Sequence, residues 1–265
     1  MTSEASSPES PETRPADLPA VSVIVPVLNE AENISPLVQE ITYALRGVAE
    51  YEIVYVDDGS TDSTPDLLAA LEGTISGFRF VRHRHRAGQS VAVRSGVQAA
   101  SMPLIATLDG DGQNVPGDIP NLLETYRTEA GAGGKLMVAG WRKARKDSWT
   151  KRMSSKIANG IRSTLLGDKT PDTGCGLKVF CREDFLAFPA FNHMHRFLPA
   201  LMLRDGGRVI SVEVAHRPRQ QGTSNYGVFD RLWVGVSDLF GVAWLKRRAM
   251  TVELEASGTD DANSQ

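Results

Sequence analysis

The stretch Ile53-Val-Tyr-Val-Asp-Asp-Gly-Ser-Thr-Asp62 places a short apolar segment directly before an acidic turn. Its β-branched and aromatic residues favour a buried strand, and Asp57 and Asp58 follow where that strand ends. Thr64 and Pro65 then predict the N-cap and the first residue of a helix. The local unit is therefore a strand, a polar loop and a helix.

The same unit is repeated on both sides of this stretch. Further strands are expected at Val21–Val25, Phe78–Val81 and Leu104–Leu108. Pro26 should end the first of them, and helices are expected at residues 34–45 and near Gln89–Ala100. Repeated alternation of strand and helix predicts an α/β fold, with a mostly parallel sheet and helices on both faces.

The second half of the chain is less regular. Strands are expected at Leu136–Ala139, Leu177–Phe180 and Val209–Val214, and a helix at Lys151–Leu166. We divide the chain into a disordered tail at 1–20, one domain at 21–225, an amphipathic helix at 226–249 and a disordered acidic tail at 250–265.

Charge and composition limit the possible classes of protein. The net charge is −3, but the two tails carry −3 and −4, so residues 21–249 carry +4, which favours phosphate-bearing ligands. The spacing of Cys175 and Cys181 fits no common zinc or redox pattern, which indicates reduced thiols in the cytoplasm. No signal peptide is recognisable, and no apolar run approaches the ~18 residues that would span a bilayer.

Acidic residues follow three of the predicted strands. Asp109-Gly-Asp111 can hold a hard divalent cation between two carboxylates, although the same residues alone would also suit a turn. Asn29-Glu30 and Asp57-Asp58 lie at equivalent strand ends, where open α/β sheets bind ligands. No G-x-G-x-x-G follows the first strand, which argues against a nicotinamide dinucleotide fold.

Three segments, Val23–Glu30, Val56–Asp62 and Asp109–Gln113, together resemble the inverting glycosyltransferases of family 2. The resemblance implies a GT-A fold, a nucleotide-diphosphate sugar as donor, and Mg²⁺ or Mn²⁺ as cofactor. It also implies that the nucleoside is contacted by Pro26, Leu28, Glu30 and either Asp57 or Asp58. Asp109 and Asp111 would hold the metal and the diphosphate, with Gln113 beside them.

The second half is similar to the polyprenyl-phosphate subgroup, the dolichol-phosphate mannose synthase-like enzymes. The similar segments are Gly140–Arg142, Lys151-Arg152, Asp172–Gly176 and Arg219–Ser224. The resemblance implies a polyprenyl phosphate acceptor bound by Arg142, Arg152, Arg219 and Ser224, with Asp111, Arg142 and Arg219 taking part in catalysis. The chain departs from the subgroup at Asn225, where Lys is frequent, and at Gly174-Cys-Gly176, where an aromatic residue is usual.

Simple chemistry agrees with a phosphate acceptor. A sugar hydroxyl needs a general base, and the second half offers a Glu-Asp pair only at Glu183-Asp184, within a predicted helix. A phosphate monoester is already anionic and needs a cationic site instead. Transfer to a sugar hydroxyl of a growing cell-surface glycan remains open, as does a non-catalytic nucleotide-sugar-binding protein.

Three further features are less specific. Arg82-His-Arg-His-Arg86 is expected to be a charged loop away from the other motifs, and His193 and His195 lack the partners of a metal site. Apolar residues at helical spacing between Phe229 and Trp244 precede Lys246-Arg-Arg248. That helix could lie on a membrane, pack on the body or join a homodimer. We expect a cytoplasmic protein at the inner face of the membrane, reached directly or through a membrane partner protein, with no nucleic acid bound.

Overall fold

The computed structural model describes residues 20–142, 165–168, 170–218 and 228–249. Its strands are β1 Ala20–Val27, β2 Glu50–Asp57, β3 Phe78–Arg82, β4 Leu104–Thr107, β5 Leu136–Trp141, β6 Lys178–Cys181 and β7 Arg208–Glu213. Its helices are α1 Ala31–Leu45, α2 Thr64–Glu72, α3 Gln89–Ala99, α4 Ile119–Ala130, α5 Arg182–Ala187, α6 Leu198–Arg204 and α7 Val228–Arg247. Short 3-10 turns occupy Pro116–Asp118 and Met194–Arg196.

Within these ranges the strands form one seven-stranded sheet in the order β3-β2-β1-β4-β6-β5-β7. The neighbouring pairs are parallel except those of β6, which runs antiparallel to both β4 and β5. The predicted mostly parallel sheet is thus confirmed. Because β6 is reversed, its first residues lie at the edge where the parallel strands end.

The sheet is buried on both faces. Alternate residues of β1 point to opposite sides, so Val23 packs with α1 and α4 while Ile24 packs with α3 and the α5–α6 region. Both side chains are fully buried. Burial on two faces explains why β1 reads as an unbroken apolar run rather than an alternating one.

Two local predictions from the sequence are wrong by one or two residues. β1 continues through Pro26 to Val27, with Pro26 opposite Val56 of the parallel neighbour. Ser63, not Thr64, is the N-cap of α2; the Thr64 hydroxyl instead accepts a hydrogen bond from the Glu30 N–H at 3.1 Å. Thr64 thus joins the start of α2 to the loop after β1. A contact of this kind cannot be predicted from the local sequence signals of a helix. The predicted helix at Lys151–Leu166 lies almost wholly outside the described residues.

The C-terminal helix α7 packs against the body of the domain. Val242 and Ala243 are buried in a cluster with Leu166. His193 Nδ1 lies 2.9 Å from Asp238 Oδ2, so the expectation that this histidine lacks a carboxylate partner is wrong. The opposite side of α7 exposes Phe240 and Trp244 by 64% and 60%. Within the described ranges, no helix combines the length and apolar character needed to cross a bilayer.

Candidate active site

Three loops that follow neighbouring parallel strands meet at one edge of the sheet. β2, β1 and β4 are adjacent, Asp57 is the last residue of β2, and Asn29 and Asp109 lie just beyond the ends of β1 and β4. The loop after β4 lies close against β1, because a Cβ on Gly110 would lie 2.8 Å from the Pro26 carbonyl oxygen. The small residue in the middle of Asp-x-Asp is therefore required by packing against β1.

Asp109 lies at the centre of this edge. Its backbone N–H donates to Asn114 Oδ1 at 3.2 Å, and its Oδ1 accepts a hydrogen bond from Gln89 Nε2 at 3.0 Å. Burial, together with the nearby charge of Asp111, raises the pKa of Asp109 from 3.8 to about 6. A cation bound by both carboxylates would offset this repulsion between Asp109 and Asp111.

Gly176 forms the wall behind Asp109. A Cβ at this position would lie 2.2 Å from Asp109 Oδ2, so any side chain there would displace the carboxylate. Thr107 Oγ1 donates to the Gly176 carbonyl at 2.6 Å, which holds this loop against the end of β4. The sequence Gly174-Cys-Gly176, a departure from the expected subgroup pattern, thus has a structural reason in this chain.

A buried lysine supports the same wall. Lys178, the first residue of β6, is only 3% exposed, and its amine donates to the backbone carbonyl of Cys175. Burial lowers the pKa of Lys178, while Cys175, Asp109 and Asp172 act in the opposite direction. Its positive charge in turn lowers the pKa of Asp109. The ammonium group of Lys178 therefore compensates part of the negative charge at the Asp-x-Asp.

Arg142 enters the site from the end of β5. Its Nε and Nη2 donate to both carboxylate oxygens of Asp172, at 2.6 and 3.0 Å. Burial acts to lower the pKa of Arg142, but the hydrogen bonds to Asp172 and the nearby negative charges raise it and together outweigh burial. The negative charge of Asp109 is one of those that raise this pKa. With all groups ionised, the three carboxylates carry −3 and the two cations +2, so the site has a formal charge of −1. The carboxylates are those of Asp109, Asp111 and Asp172, and the cations are Arg142 and Lys178. This negative charge favours binding of a divalent cation.

Asp57 and Asp58 have partners within the protein. Asp57 Oδ1 accepts the Ser60 N–H at 2.8 Å, and its Oδ2 lies 3.1 Å from Arg82 Nε. Asp58 accepts from the backbone N–H groups of Ala87 and Gly88 at 2.8 Å each. A contact of Asp57 or Asp58 with the nucleoside would be additional to these bonds. The nucleoside-binding role of this pair therefore stays a prediction.

The basic segment Arg82–Arg86 lies beside the other motifs, contrary to the expectation that it would be remote. His83 Nδ1 lies 2.8 Å from Asp58 Oδ1, and its Nε2 lies 2.9 Å from Ser95 Oγ on α3. Sequence spacing gave no sign of this contact, because His83 and Asp58 are 25 residues apart along the chain. β2 and β3 are parallel neighbours, so their following loops share one edge.

The β1–α1 loop, which carries the predicted donor residues Leu28 and Glu30, is joined to the β2–α2 loop. Asn29 has the left-handed φ of 55°, and its Oδ1 accepts the Thr61 N–H at 2.8 Å. Pro26, Leu28 and Glu30 are half-buried at this edge. The predicted donor residues are therefore close together, whereas Arg152, Arg219 and Ser224 lie outside the described residues.

The donor set fits a magnesium or manganese ion. Such ions take oxygen ligands, and Mg²⁺ is commonly held by one or two carboxylates plus substrate phosphates and water. Asp109 and Asp111 supply two carboxylates, and within the described ranges no cluster of three or more metal-ligating side chains surrounds them. That set would leave the remaining positions to a diphosphate. Asp111 Oδ1 also accepts a hydrogen bond from the Gln113 N–H at 3.1 Å, so the backbone of Gln113 helps to hold the Asp111 carboxylate.

Sequence reasoning missed Gln89 and Lys178. Gln89 begins α3 and carries no motif of its own, so only the fold brings it to Asp109. Lys178 did leave a signal, because a lysine between Leu177 and Val179 in an apolar strand is unusual unless it is paired.

Comparison with known proteins identifies the family. The profile described as glycosyl transferase family 2 matches residues 22–187, more than half of the chain. This chain belongs to glycosyl transferase family 2. The resemblance carried by the three motifs of the first half is thereby confirmed, and the mostly parallel sheet is the GT-A-like α/β fold that it implied.

Curated relatives in family 2 include polyprenyl-phosphate transferases. The dodecaprenyl-phosphate galacturonate synthase of Rhizobium johnstonii is 34% identical over 235 residues, which cover 86% of this chain and 67% of that protein. The undecaprenyl-phosphate 4-deoxy-4-formamido-L-arabinose transferase of Aeromonas hydrophila is 34% identical over 217 residues, or 80% of this chain and 64% of that protein. The chain thus spans about two thirds of the length of these relatives.

A solved structure supports the fold. Glucosyl-3-phosphoglycerate synthase from Mycobacterium tuberculosis, in complex with Mn²⁺, uridine diphosphate and phosphoglyceric acid, superimposes with a TM-score of 0.63. The match covers 88% of this chain and 80% of that chain, at 18% identity. At that identity the likeness concerns the fold alone.

Proposed function

We propose that this chain transfers a sugar, with inversion, from a nucleotide-diphosphate donor to a polyprenyl phosphate. The observation that carries the proposal is the group formed by Asp109, Asp111, Arg142 and Lys178, which combines a metal-type carboxylate pair with cations at one sheet edge. The names of the curated relatives support the lipid acceptor. Mg²⁺ or Mn²⁺ is part of the proposal.

The donor would lie along the ends of β1, β2 and β4. Its nucleoside would contact the loops that hold Pro26, Leu28, Glu30 and Asp57, and its diphosphate would reach Asp109. A bound cation would neutralise the negative charge that develops on the leaving diphosphate. Gln89 and Gly176 would keep the Asp109 carboxylate in one orientation while the donor is bound.

A phosphate acceptor is already negatively charged and can attack the sugar directly. An acceptor phosphate oxygen attacks the anomeric carbon of the sugar, the bond from that carbon to the diphosphate oxygen breaks, and the nucleoside diphosphate leaves with the electron pair. No proton has to be removed from the attacking oxygen, so no general base is needed. Arg142 would bind the acceptor phosphate, since a guanidinium has five N–H donors and the bonds to Asp172 from the side chain use Nε and Nη2. Arg152, Arg219 and Ser224 would complete the acceptor site.

The test is a comparison of acceptors with the purified chain and Mn²⁺. Radiolabelled nucleotide sugars are offered undecaprenyl phosphate in detergent in one arm and free saccharides in the other. We expect label in an organic-soluble product that mild acid releases, as a glycosyl phosphate should. Label in saccharides alone would favour a hydroxyl acceptor and contradict the proposal. A binding protein would give neither product but would melt at a higher temperature with a nucleoside diphosphate.

The membrane would be reached through α7. Phe240 and Trp244 are one helical turn apart on its exposed side, and the Arg248 guanidinium lies 5.8 Å above the Trp244 ring. Aromatic residues beside cations suit the interface of an anionic bilayer. We propose a peripheral location at the cytoplasmic face, where a lipid phosphate is accessible.

A further inference from the structure

Arg217, four residues beyond the end of β7, contacts the Asp-x-Asp loop in two places. Its backbone N–H donates to the Gln113 carbonyl at 3.1 Å, and its Nε donates to the Gly112 carbonyl at 2.5 Å. The residue before it, His216, forms a β-bridge with Asn114. The segment after β7 therefore covers the outer side of the loop that follows β4.

One peptide plane in this loop is fixed on both of its sides. The carbonyl of Gly112 accepts from Arg217, and the N–H of the same peptide, that of Gln113, donates to Asp111 Oδ1 at 3.1 Å. A peptide unit is planar, so fixing its carbonyl also fixes the direction of its N–H. Arg217 thus sets the direction from which the Asp111 carboxylate is held.

The Arg217 guanidinium is itself held by Glu40 on α1. Nη1 and Nη2 lie 3.1 and 2.8 Å from the two carboxylate oxygens of Glu40. Both side chains are partly exposed, at 28% and 38%, and such a pair adds little to stability. Its paired, planar geometry instead restricts the orientation of the guanidinium.

We propose that Arg217 is a positioning residue for sugar transfer, which orients the Asp111 carboxylate toward the metal through the peptide between Gly112 and Gln113. This role rests on the proposed function, since it requires Asp111 to hold the cation. Residues that orient a metal ligand without touching the metal commonly change metal affinity by about 10- to 100-fold when they are replaced.

The experiment measures Mn²⁺ binding by the purified chain, from the electron paramagnetic resonance signal of the free ion, together with the melting temperature. We expect Arg217→Met to weaken Mn²⁺ binding by about tenfold or more with a nearly unchanged melting temperature. Arg217→Lys should recover part of the affinity, because an ammonium can still reach the Gly112 carbonyl. Glu40→Gln should give a smaller loss than Arg217→Met, since it removes only the support of the guanidinium.

The matched control is Arg127→Met, which breaks an exposed Arg–Glu pair on α4 at 2.9 Å. It should bind Mn²⁺ as the wild-type chain does. If Arg217→Met folds and binds Mn²⁺ like this control, the role of Arg217 is wrong while the metal site stands. If Arg217→Met does not fold, wild-type affinity in both Arg217→Lys and Glu40→Gln overturns the role. If the wild-type chain binds no Mn²⁺, the metal site and the role of Arg217 fail together.

Discussion

The β1–β4 half and the β5–α7 half build the site in different ways. In the first half, each functional loop directly follows its own parallel strand, and Asn29, Thr61 and Ser60 join neighbouring loops. In the second half, Gly176 and Lys178 reach Asp109 only because β6 is reversed. The loops on the donor side are thus placed by the strands that directly precede them in the chain. The wall formed by Gly176 and Lys178 is placed only when the whole sheet has formed.

The largest effect is expected in the first half. Asp111→Ala should keep the fold and lower kcat by about 10³-fold or more, because charge stabilisation at the leaving group is lost. The measurement is sugar transfer with and without EDTA. Asp66→Ala, an exposed residue of α2, is the matched control. Full activity of the wild-type chain in EDTA would contradict the metal-dependent donor site.

The next effect tests whether the second half acts on the first. Lys178→Met keeps the length and apolar stem of the side chain but removes the charge near Asp109, so we expect about 10²-fold lower activity. Lys135→Met is the control, because that lysine is more exposed and pairs with Asp205 at 3.6 Å. Equal activities of the two variants would make Lys178 a packing residue. A melting temperature measured in parallel separates loss of fold from loss of function.

A smaller effect is expected at α7. Trp244→Glu should weaken sedimentation with anionic liposomes by about tenfold, because it replaces an apolar ring by a carboxylate beside the lipid surface. Tyr43→Glu makes a similar change at a residue that is 84% exposed on α1. Binding should also weaken as salt is raised. If both variants sediment alike, the second half has no membrane surface at Trp244.

The smallest expected effect is a shift with pH. Since the pKa of Asp109 is raised from 3.8 to about 6, its ionisation weakens the metal-free fold as pH rises through this range. A divalent cation needs the ionised form, so the increase in melting temperature caused by Mn²⁺ should be small at pH 5 and should grow up to about pH 7. Asp109→Asn should remove this dependence. A Mn²⁺ effect that is constant from pH 5 to 7 would contradict the assignment.

The sequence predicted the first half better than the second for a physical reason. β1, β2 and β4 each contain an apolar run that is closely followed by a polar loop, so position along the chain fixes position in space. Lys178 on β6 and Arg217 after β7 act near the Asp-x-Asp from positions that are distant in sequence, and sequence patterns predicted neither role. Thr64 and Arg82 show the same limit, because their partners, Glu30 after β1 and Asp57 at the end of β2, are distant along the chain.

The place of β6 between β4 and β5 has a consequence for synthesis of the chain. β5 is complete at Trp141, but both of its neighbours in the sheet, β6 and β7, come later in the sequence. At ~5–20 residues per second, the ribosome needs about 2 to 7 s to reach Lys178. During that interval β4 and β5 both expose strand edges that other chains can pair with. A nascent chain stalled before β6 should therefore recruit chaperones, and the wall that Gly176 forms behind Asp109 in the proposed metal site is built only when β6 is inserted.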